Sequence, residues 1–226
     1  MARPKNFALI VAGGAGSRMQ VETPKQFLSL GDKPVLFHSI ETFADCGLVS
    51  EIVLVLPENQ AEHWSHLTKK HHLEIEVLLV NGGKTRFHSV KNGLKSLPEN
   101  GLVAIHDGVR PLVSSRLIHD CFEAAEKHGA AIPVVGVKDS TRAISGEKSR
   151  PLNRANLRAV QTPQCFHLKQ IQQAYNQTYD SKFTDDASVF EADGGEVFLV
   201  EGEEENLKIT LPLDLQLAEL ILGKRI

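Results

Sequence analysis

The feature that most constrains the fold is a short, continuous apolar run near the start of the chain that ends in glycines. Residues 7–11 read FALIV and lead directly into AGGAGSRM. A continuous apolar run bounded by turn residues is typical of a strand buried on both faces, as in a parallel sheet. Similar runs recur at residues 52–56, 75–80, 102–105, 130–137 and 197–200, and segments with helical spacing lie between them at 35–43, 61–70, 89–97 and 117–127. This alternation predicts a three-layer α/β fold with a mostly parallel sheet and right-handed crossovers.

The length and the charge balance limit the possible partners. A chain of 226 residues fits one large domain. Its 25 Lys and Arg residues against 28 Asp and Glu residues give a formal charge of −3, so no global field favours nucleic acid or an anionic membrane. We therefore expect neither partner, and any affinity for phosphate must come from a local cluster of residues.

The cysteines and the N-terminal residues favour a cytoplasmic location. Cys46, Cys121 and Cys165 are an odd number with no CxxC spacing, which argues against a disulfide framework or a zinc site. The first residues lack the apolar stretch of a signal peptide, and the apolar runs are too short to cross a bilayer.

One polar segment interrupts the alternation of strands and helices. Residues 138–158 read KDSTRAISGEKSRPLNRANLR. A loop of this length is uncommon inside a domain and tends to be functional or to contact a partner, so we expect an arm that projects from the domain. Residues 213–222 carry apolar residues at helical spacing before Gly223, which predicts a terminal helix.

The glycine-rich segment at residues 12–19 is the main candidate for a binding site. Glycines at the end of a strand let backbone N–H groups approach an anion closely, because no Cβ intervenes. Arg18 adds a charged donor fork suited to phosphate oxygens, and Lys25, behind Pro24, can fold back onto the same phosphates. A P-loop would need GxxxxGK[ST], and a dinucleotide fingerprint would need Gly or Ala where Met19 stands. The segment therefore predicts a nucleoside triphosphate site of another class.

These motifs resemble those of a known family. AGGAGSRM followed by PKQF resembles the signature of nucleotidyltransferases that activate small phosphorylated alcohols and sugars, and more closely that of the 2-C-methyl-D-erythritol 4-phosphate cytidylyltransferase family of the non-mevalonate isoprenoid pathway. Further blocks match in order along essentially the whole chain: NGGKTR at 81–86 with SV at 89–90, HDGVRP at 106–111, DST at 139–141, NR at 153–154, QTPQ at 161–164, TDDAS at 184–188 and NLKIT at 206–210. Each block alone is weak, but the ordered set is specific.

The resemblance implies a fold, a reaction and an assembly. The fold would be one Rossmann-like α/β nucleotidyltransferase domain over residues 1–226, with a protruding dimerisation arm at about 138–158. The reaction would join CTP and methylerythritol phosphate with release of pyrophosphate, and the assembly would be a homodimer whose arms share the active sites.

The resemblance also implies roles for individual residues. The triphosphate cradle would be Ala12, Gly13, Gly14 and Gly16. Arg18 and Lys25 would lie at the α-phosphorus, and Asp107 would bind Mg²⁺. The cytosine and ribose would be held by Gly83, Lys84 and Ser89. The acceptor phosphate would be positioned by Arg154 and Lys208, supported by Arg110, Thr141 and Thr184.

Three positions depart from the family pattern. Gly13 replaces a usual alanine, which the backbone cradle tolerates, and Gly108-Val109 replaces a common Ala-Ala pair. Lys84 stands where an acidic residue is often found beside the base, so that side-chain role does not transfer to it.

The chemistry of such a reaction suits the charged set. The acceptor phosphate is itself an anionic nucleophile, so no general base, serine or cysteine is required. Catalysis then depends on charge neutralisation and in-line alignment against an anionic triphosphate. Asp107 follows an apolar run, at a strand end where α/β sites form, and its hard oxygens suit Mg²⁺.

Other polar residues have plainer interpretations. Asp185 and Asp186 open a helical pattern, so helix capping accounts for at least part of their presence. The four histidines at 63, 66, 71 and 72 lie on a polar helix and its exit without an HExxH pattern, and we expect them to face solvent.

Two other functions remain open from the sequence. A ribitol 5-phosphate cytidylyltransferase would use the same chemistry on a different alcohol. A NAD-dependent dehydrogenase would need the missing third glycine and an acidic residue after the second strand, for which Glu58 is the local candidate.

Overall fold

The computed structural model describes residues 5–13 and 23–225, which are organised around a mixed β-sheet. The strands are β1 (Asn6–Val11), β2 (Ser29–Leu30), β3 (Lys33–Pro34), β4 (Val49–Leu56), β5 (Leu78–Asn81), β6 (Leu102–Asp107), β7 (Ala130–Gly136), β8 (Thr141–Ser145), β9 (Lys148–Leu152), β10 (Arg158–Val160), β11 (Gln164–His167) and β12 (Phe198–Glu201). In this part of the chain, eight of them form the central sheet in the order β10-β7-β11-β6-β1-β4-β5, with β12 beside β7. β1 pairs in parallel with β4 and β6, β4 with β5, and β7 with β12, whereas β10 and β11 run antiparallel to their neighbours. The predicted α/β fold with a mostly parallel sheet is confirmed.

Helices cover both faces of this sheet. They are α1 (Val35–Asp45), α2 (Ala61–Lys70), α3 (Arg86–Leu94), α4 (Ser115–His128), α5 (Leu168–Ala174), α6 (Asp186–Ala192) and α7 (Pro212–Arg225). Ala8 and Ile10 of β1 belong to the apolar cluster that contains α1 and α4, while Phe7 and Leu9 belong to the cluster that contains α3 and α5. Because β1 is buried on both faces, its sequence is continuously apolar rather than alternating.

Several element boundaries differ from the prediction by one to three residues, and two of the differences have a clear local reason. α3 begins at Arg86 rather than at residue 89, because the Thr85 side chain accepts a hydrogen bond from the backbone N–H of His88 and caps the helix. The strand predicted from residue 75 begins at Leu78, where its pairing with β4 starts; Ile75 packs against the core outside that ladder.

The polar segment at 138–158 forms a β-hairpin. β8 and β9 pair with each other as a separate two-stranded sheet, and Gly146 adopts a φ of 57° in the turn between them. The hairpin is largely exposed, with Ile144 at 79%. The chain then returns to the central sheet as β10.

A third, smaller apolar cluster attaches the C-terminal helix. Its fully buried residues include Leu30, Val35, Ile209 and Ala218. The segment before α7, and α7 itself, are therefore packed against β2 and the first residue of α1. The predicted terminal helix is present, although it continues through Gly223 to Arg225. Within residues 5–13 and 23–225, no helix is long and apolar enough to cross a membrane.

Candidate active site

The parallel strands β1, β4, β5 and β6 end at one edge of the sheet, and the predicted site residues follow them there. The N–H of Ala12 donates to the carbonyl of Val55 (3.0 Å), and the N–H of Gly82 donates to the carbonyl of Leu56 (2.7 Å). Asp107 is the last residue of β6. The carboxyl edge of a parallel sheet is where ligands bind in α/β proteins.

A first cavity of about 190 Å³ opens at this edge. Its walls contain predicted residues from five segments of the chain: Ala12, Gly13, Lys25, Gly83, Lys84, Ser89, Asp107 and Lys208. The structure thus brings together most of the nucleotide positions. Gly14, Gly16 and Arg18 lie outside the described residues.

The loop between β5 and α3 is held by Ser89. The N–H of Gly83 donates to Ser89 Oγ (3.0 Å), and that hydroxyl donates to the carbonyl of Thr85 (3.0 Å). A Cβ on Gly83 would lie 2.4 Å from the Cβ of His88, so only glycine fits against α3 here. Ser89 is buried and shapes the loop, while Lys84 is an exposed part of the wall.

Lys25 joins the first cavity to the C-terminal part of the chain. It begins a short 3₁₀ helix after Pro24, and its Nζ donates to the carbonyl of Ile209 (3.1 Å). The next residue, Gln26, is buried and donates to the carbonyl of Ala12 (2.8 Å). This contact fixes the lysine segment against the end of β1.

Asp107 is surrounded by cations. Lys208 Nζ lies 2.7 Å from its Oδ2, Arg86 Nε lies 3.2 Å from its Oδ1, and Arg110 Nε lies 3.9 Å from Oδ2. Burial alone would raise the pKa of Asp107, but the charges of Arg86 and Lys208 outweigh it and hold the pKa well below its usual range. Asp107 is therefore a carboxylate at any physiological pH.

Lys208 is positioned over Asp107 by a buried network that was not predicted. The N–H of Ile209 donates to the carbonyl of Val109 (2.8 Å), and Arg110 Nη1 donates to the carbonyl of Asn206 (2.7 Å). Asn206 is buried and donates in turn to the carbonyl of Thr162 (2.9 Å). These bonds tie the segment that carries Lys208 to β6 and to the loop before β11.

A second cavity of about 240 Å³ shares a wall with the first. The two cavities have three lining residues in common: Arg86, Asp107 and Lys208. The second cavity adds the predicted acceptor residues Arg110 and Thr184. An anion in one cavity and an anion in the other would therefore face the same cluster of charges.

The two predicted residues of the arm lie apart from both cavities. Arg154 is exposed and donates to the carbonyl of Lys138 at the base of the hairpin. Thr141 lies in β8, and its buried Oγ1 makes no hydrogen bond within the described chain. Over the ranges that the structure describes, neither residue lines the first or the second cavity.

Comparison with known proteins identifies the family. The model of the 2-C-methyl-D-erythritol 4-phosphate cytidylyltransferase (IspD) family matches residues 7–224. The chain belongs to this family. A relative named 2-C-methyl-D-erythritol 4-phosphate cytidylyltransferase from Bacteroides thetaiotaomicron is 48% identical over 218 residues, which are 96% of this chain and 100% of the relative.

Solved structures of the IspD family agree with the fold. The structure of 4-diphosphocytidyl-2C-methyl-D-erythritolsynthase from Anaerococcus prevotii superposes with a TM-score of 0.81 at 29% identity, covering 97% of this chain and 98% of that one. The cytidylyltransferase from Thermus thermophilus gives 0.74 at 31% identity, covering 95% and 98%. The chain is thus a nucleotidyltransferase, and the comparisons do not favour the ribitol phosphate or dehydrogenase alternatives.

The predicted magnesium site of this IspD-family chain rests on one carboxylate. Among residues 5–13 and 23–225, no group of three or more His, Cys, Asp or Glu side chains could hold a metal ion. Mg²⁺ commonly binds through one or two carboxylates together with substrate phosphates and water. Asp107 is ionised and lines the first cavity, but both of its oxygens are paired with Lys208 or Arg86, so a metal ion held here would share the carboxylate with these cations.

Sequence reasoning missed the contacts of Arg86 in this family member. Arg86 lies in the NGGKTR block, yet its partner Asp186 is 100 residues away and was interpreted as part of a helix cap. Asp186 is fully buried and accepts two hydrogen bonds from the Arg86 guanidinium, at 2.8 and 2.6 Å. The spacing of residues along one sequence gives no signal for such a pair.

The interpretation of Asp185 as a helix cap is confirmed, and the expected solvent exposure is confirmed for three of the four histidines. His71 is instead partly buried, with its ring 5.7 Å from that of Phe37 between centroids. Asp185 caps α6, accepting from the N–H of Ser188 (2.9 Å) in a capping box. His63, His66 and His72 are exposed, and the ring of His63 also packs edge-on against Phe27.

Proposed function

We propose that the chain transfers the cytidylyl group of CTP to 2-C-methyl-D-erythritol 4-phosphate, giving 4-diphosphocytidyl-2-C-methyl-D-erythritol and pyrophosphate. The observation that supports this most directly is the pair of adjoining cavities with Arg86, Asp107 and Lys208 in their common wall. A transferase for two phosphorylated substrates needs two anion sites that meet where the new bond forms.

The first cavity suits the nucleotide. Backbone N–H groups of Gly13, Gly14 and Gly16 would cradle the triphosphate, with Ala12 in the wall of the cavity and Gly83 beside the base. With Gly83 and Ser89 in its wall, we expect the cavity of about 190 Å³ to favour a pyrimidine over a purine. Magnesium held by Asp107 would neutralise charge on the phosphates.

The second cavity suits the alcohol phosphate. Its phosphate oxygen would attack the α-phosphorus of CTP in line, while the bond from that phosphorus to the β-phosphate oxygen breaks and pyrophosphate leaves. Lys25 and Arg18 would stabilise the charge that develops at the α-phosphorus, and Lys208 would hold the acceptor phosphate. Arg110 and Thr184 would support the acceptor from the far wall.

The acceptor site would be completed by a second subunit. Thr141 lies in the hairpin and Arg154 just beyond it, and over the described residues neither lines the first or the second cavity of its own chain. We therefore expect a homodimer in which each hairpin supplies these residues to its neighbour. The three unpaired, buried cysteines fit the reducing cytoplasm.

The reaction can be tested by pyrophosphate release. The protein is incubated with Mg²⁺, CTP or ATP, and either 2-C-methyl-D-erythritol 4-phosphate or ribitol 5-phosphate. We expect turnover with CTP and the methylerythritol phosphate, and loss of turnover in excess EDTA. Faster turnover of ribitol 5-phosphate would reassign the acceptor, and equal turnover with ATP would contradict the nucleotide assignment.

A further inference from the structure

Arg86 occupies the boundary between the two cavities. It is the first residue of α3, it lines both cavities, and its Nε donates to Asp107 Oδ1 (3.2 Å). The other oxygen of Asp107, Oδ2, forms an ion pair with Nζ of Lys208 (2.7 Å). The two oxygens of this carboxylate are thus held by different cations, one on each side.

The rest of the Arg86 guanidinium is fixed from behind. Both terminal nitrogens donate to Asp186, which is fully buried and also accepts a hydrogen bond from the hydroxyl of Tyr175 (2.6 Å). The Tyr175 ring stacks on Phe87, the residue next to Arg86, with 4.8 Å between ring centroids. Arg86 is therefore restrained by its side chain and by its neighbour.

In this series of hydrogen bonds, Tyr175 and Arg86 are the donors, and the carboxylates of Asp186 and Asp107 are the acceptors. Burial, with the charge of Asp186, raises the pKa of Tyr175, so its hydroxyl remains a donor. The Arg86 guanidinium carries a permanent positive charge and donates to two carboxylates, Asp186 and Asp107. A planar guanidinium can serve a bidentate partner and a third acceptor at once, whereas an ammonium group cannot keep that geometry.

We propose that Arg86 is a positioning residue that sets the orientation of Asp107 between the two cavities, and that the buried Asp186–Tyr175 pair holds Arg86 in place. Arg86 holds Oδ1 of the Asp107 carboxylate, so that only Oδ2 pairs with Lys208. Without Arg86, both oxygens would be free to bind Lys208 and keep that lysine from the acceptor phosphate. This inference rests on the proposed cytidylyl transfer, and it extends the site to Asp186 and Tyr175, which line neither cavity as formed by the described residues.

The test uses three variants of the full-length protein: Arg86→Lys, Tyr175→Phe and the double variant. Single-turnover rates are measured with saturating CTP and methylerythritol phosphate. We expect Arg86→Lys to lower the rate by about 10²-fold, as small misplacements of reacting groups do. Tyr175→Phe keeps the ring stack and removes only the hydroxyl, and we expect about a tenfold loss, as for other outer-shell partners.

The double variant separates positioning from general destabilisation. If Tyr175 acts through Arg86, adding Tyr175→Phe to Arg86→Lys should slow the reaction no further. Multiplicative losses, or a folded Arg86→Lys with a rate within twofold of wild type, would overturn the proposal. Arg116→Lys is the matched control, because Arg116 pairs with Asp120 on the exposed face of α4, and its rate should not change.

A second measurement does not depend on turnover. Solvent exchange of the Arg86 Nε proton, followed by NMR and assigned by its absence in Arg86→Lys, should be at least about tenfold faster in Tyr175→Phe than in wild type. Unchanged exchange would show that Tyr175 does not hold Arg86. A wild type that is inactive with both alcohol phosphates would count against the proposed function alone, since the exchange rates still decide the role of Tyr175.

Discussion

Asp107 organises the site at the scale of single residues. Its carboxylate and that of Asp186 face three cations, Arg86, Arg110 and Lys208, so the wall between the cavities carries an excess of positive charge. The chain as a whole is slightly acidic, with a formal charge of −3. Affinity for two phosphorylated substrates must therefore arise locally, in a partly buried site where the lower effective dielectric strengthens the attraction between opposite charges.

Replacing Lys25 by alanine should reduce catalysis much more than stability. Its ammonium lines the first cavity and donates to the carbonyl of Ile209 (3.1 Å). Loss of that partly buried hydrogen bond should lower the free energy of unfolding by about 1 kcal/mol. Loss of a preorganised charge at the α-phosphorus should lower kcat by about 10²–10³-fold. Steady-state kinetics and urea unfolding measure the two effects.

The control for this variant is Lys70→Ala, at the exposed C-terminal end of α2. Both kcat and stability should stay near wild type there. A Lys25→Ala enzyme with normal kcat and a raised KM would mean that Lys25 binds ground state and transition state equally.

His38 should make stability depend on pH. Its ring is buried on α1, with Nε2 2.9 Å from the carbonyl of Leu30, and burial lowers its pKa despite that contact. In the unfolded chain the ring titrates near about pH 6.5, so just below this pH the unfolded state binds more protons than the folded state. The contribution of His38 to the free energy of unfolding is therefore complete above about pH 6.5. It is lost as the pH falls toward the lower pKa that His38 has in the folded protein.

The measurement is the free energy of unfolding in urea between about pH 7.5 and 5, for wild type, His38→Gln and the exposed control His66→Gln. The slope with pH should be smaller for His38→Gln than for the other two proteins. An equal slope in all three would show that His38 does not titrate differently on folding.

At the scale of secondary-structure elements, the sequence predicted what depends on local patterns. Continuous apolar runs located β4, β6 and β7, because strands buried on both faces need no alternation, and α2 was predicted with its observed bounds. The position of Asp107 at the end of a strand was also evident in sequence. The contact of Arg86 with Asp186 was not, because it depends on how α3 and α6 pack, 100 residues apart. The network through Asn206 was missed for the same reason.

Asp185 should stabilise α6 as a helix cap. It accepts from the N–H of Ser188 (2.9 Å), and its other oxygen accepts from Gln164 Nε2 (2.9 Å). We expect Asp185→Ala to lower the free energy of unfolding by about 1 kcal/mol, the usual contribution of an N-cap. Glu191→Ala, on the exposed face of the same helix, is the control and should change it little. Equal stability of the two variants in urea unfolding would exclude a capping contribution.

At the scale of the whole molecule, the two cavities and the hairpin predict an active site shared between subunits. The hairpin is a separate two-stranded sheet. Arg154 lies just beyond it and donates a hydrogen bond to the carbonyl of Lys138 at the base of the hairpin. The other predicted acceptor residues with described positions, Lys208, Arg110 and Thr184, all line the second cavity of their own subunit. Symmetric dimers exchange equivalent contacts, so each Arg154 would serve its neighbour.

This assembly predicts recovery of activity when two inactive variants are mixed. Lys25→Ala and Arg154→Ala proteins are unfolded gently, combined in equal amounts and refolded. In a mixed dimer, one composite site carries both lesions and the other carries neither. Random pairing makes about half of the dimers mixed, and each has one intact site of two, so about a quarter of wild-type activity should return.

The same mixture distinguishes the opposite arrangement. If Arg154 serves its own subunit, every site in a mixed dimer keeps one lesion, and the mixture stays as inactive as its parents. Mass spectrometry of the intact dimers must show that mixed dimers formed, and each variant refolded alone gives the background rate. Lys25→Ala mixed with Lys208→Ala is the matched control, since both residues line the first cavity of one subunit and no intact site can form. Recovery in that control would show that subunits share residues other than those of the hairpin, and absence of recovery in both mixtures would contradict the exchange of Arg154.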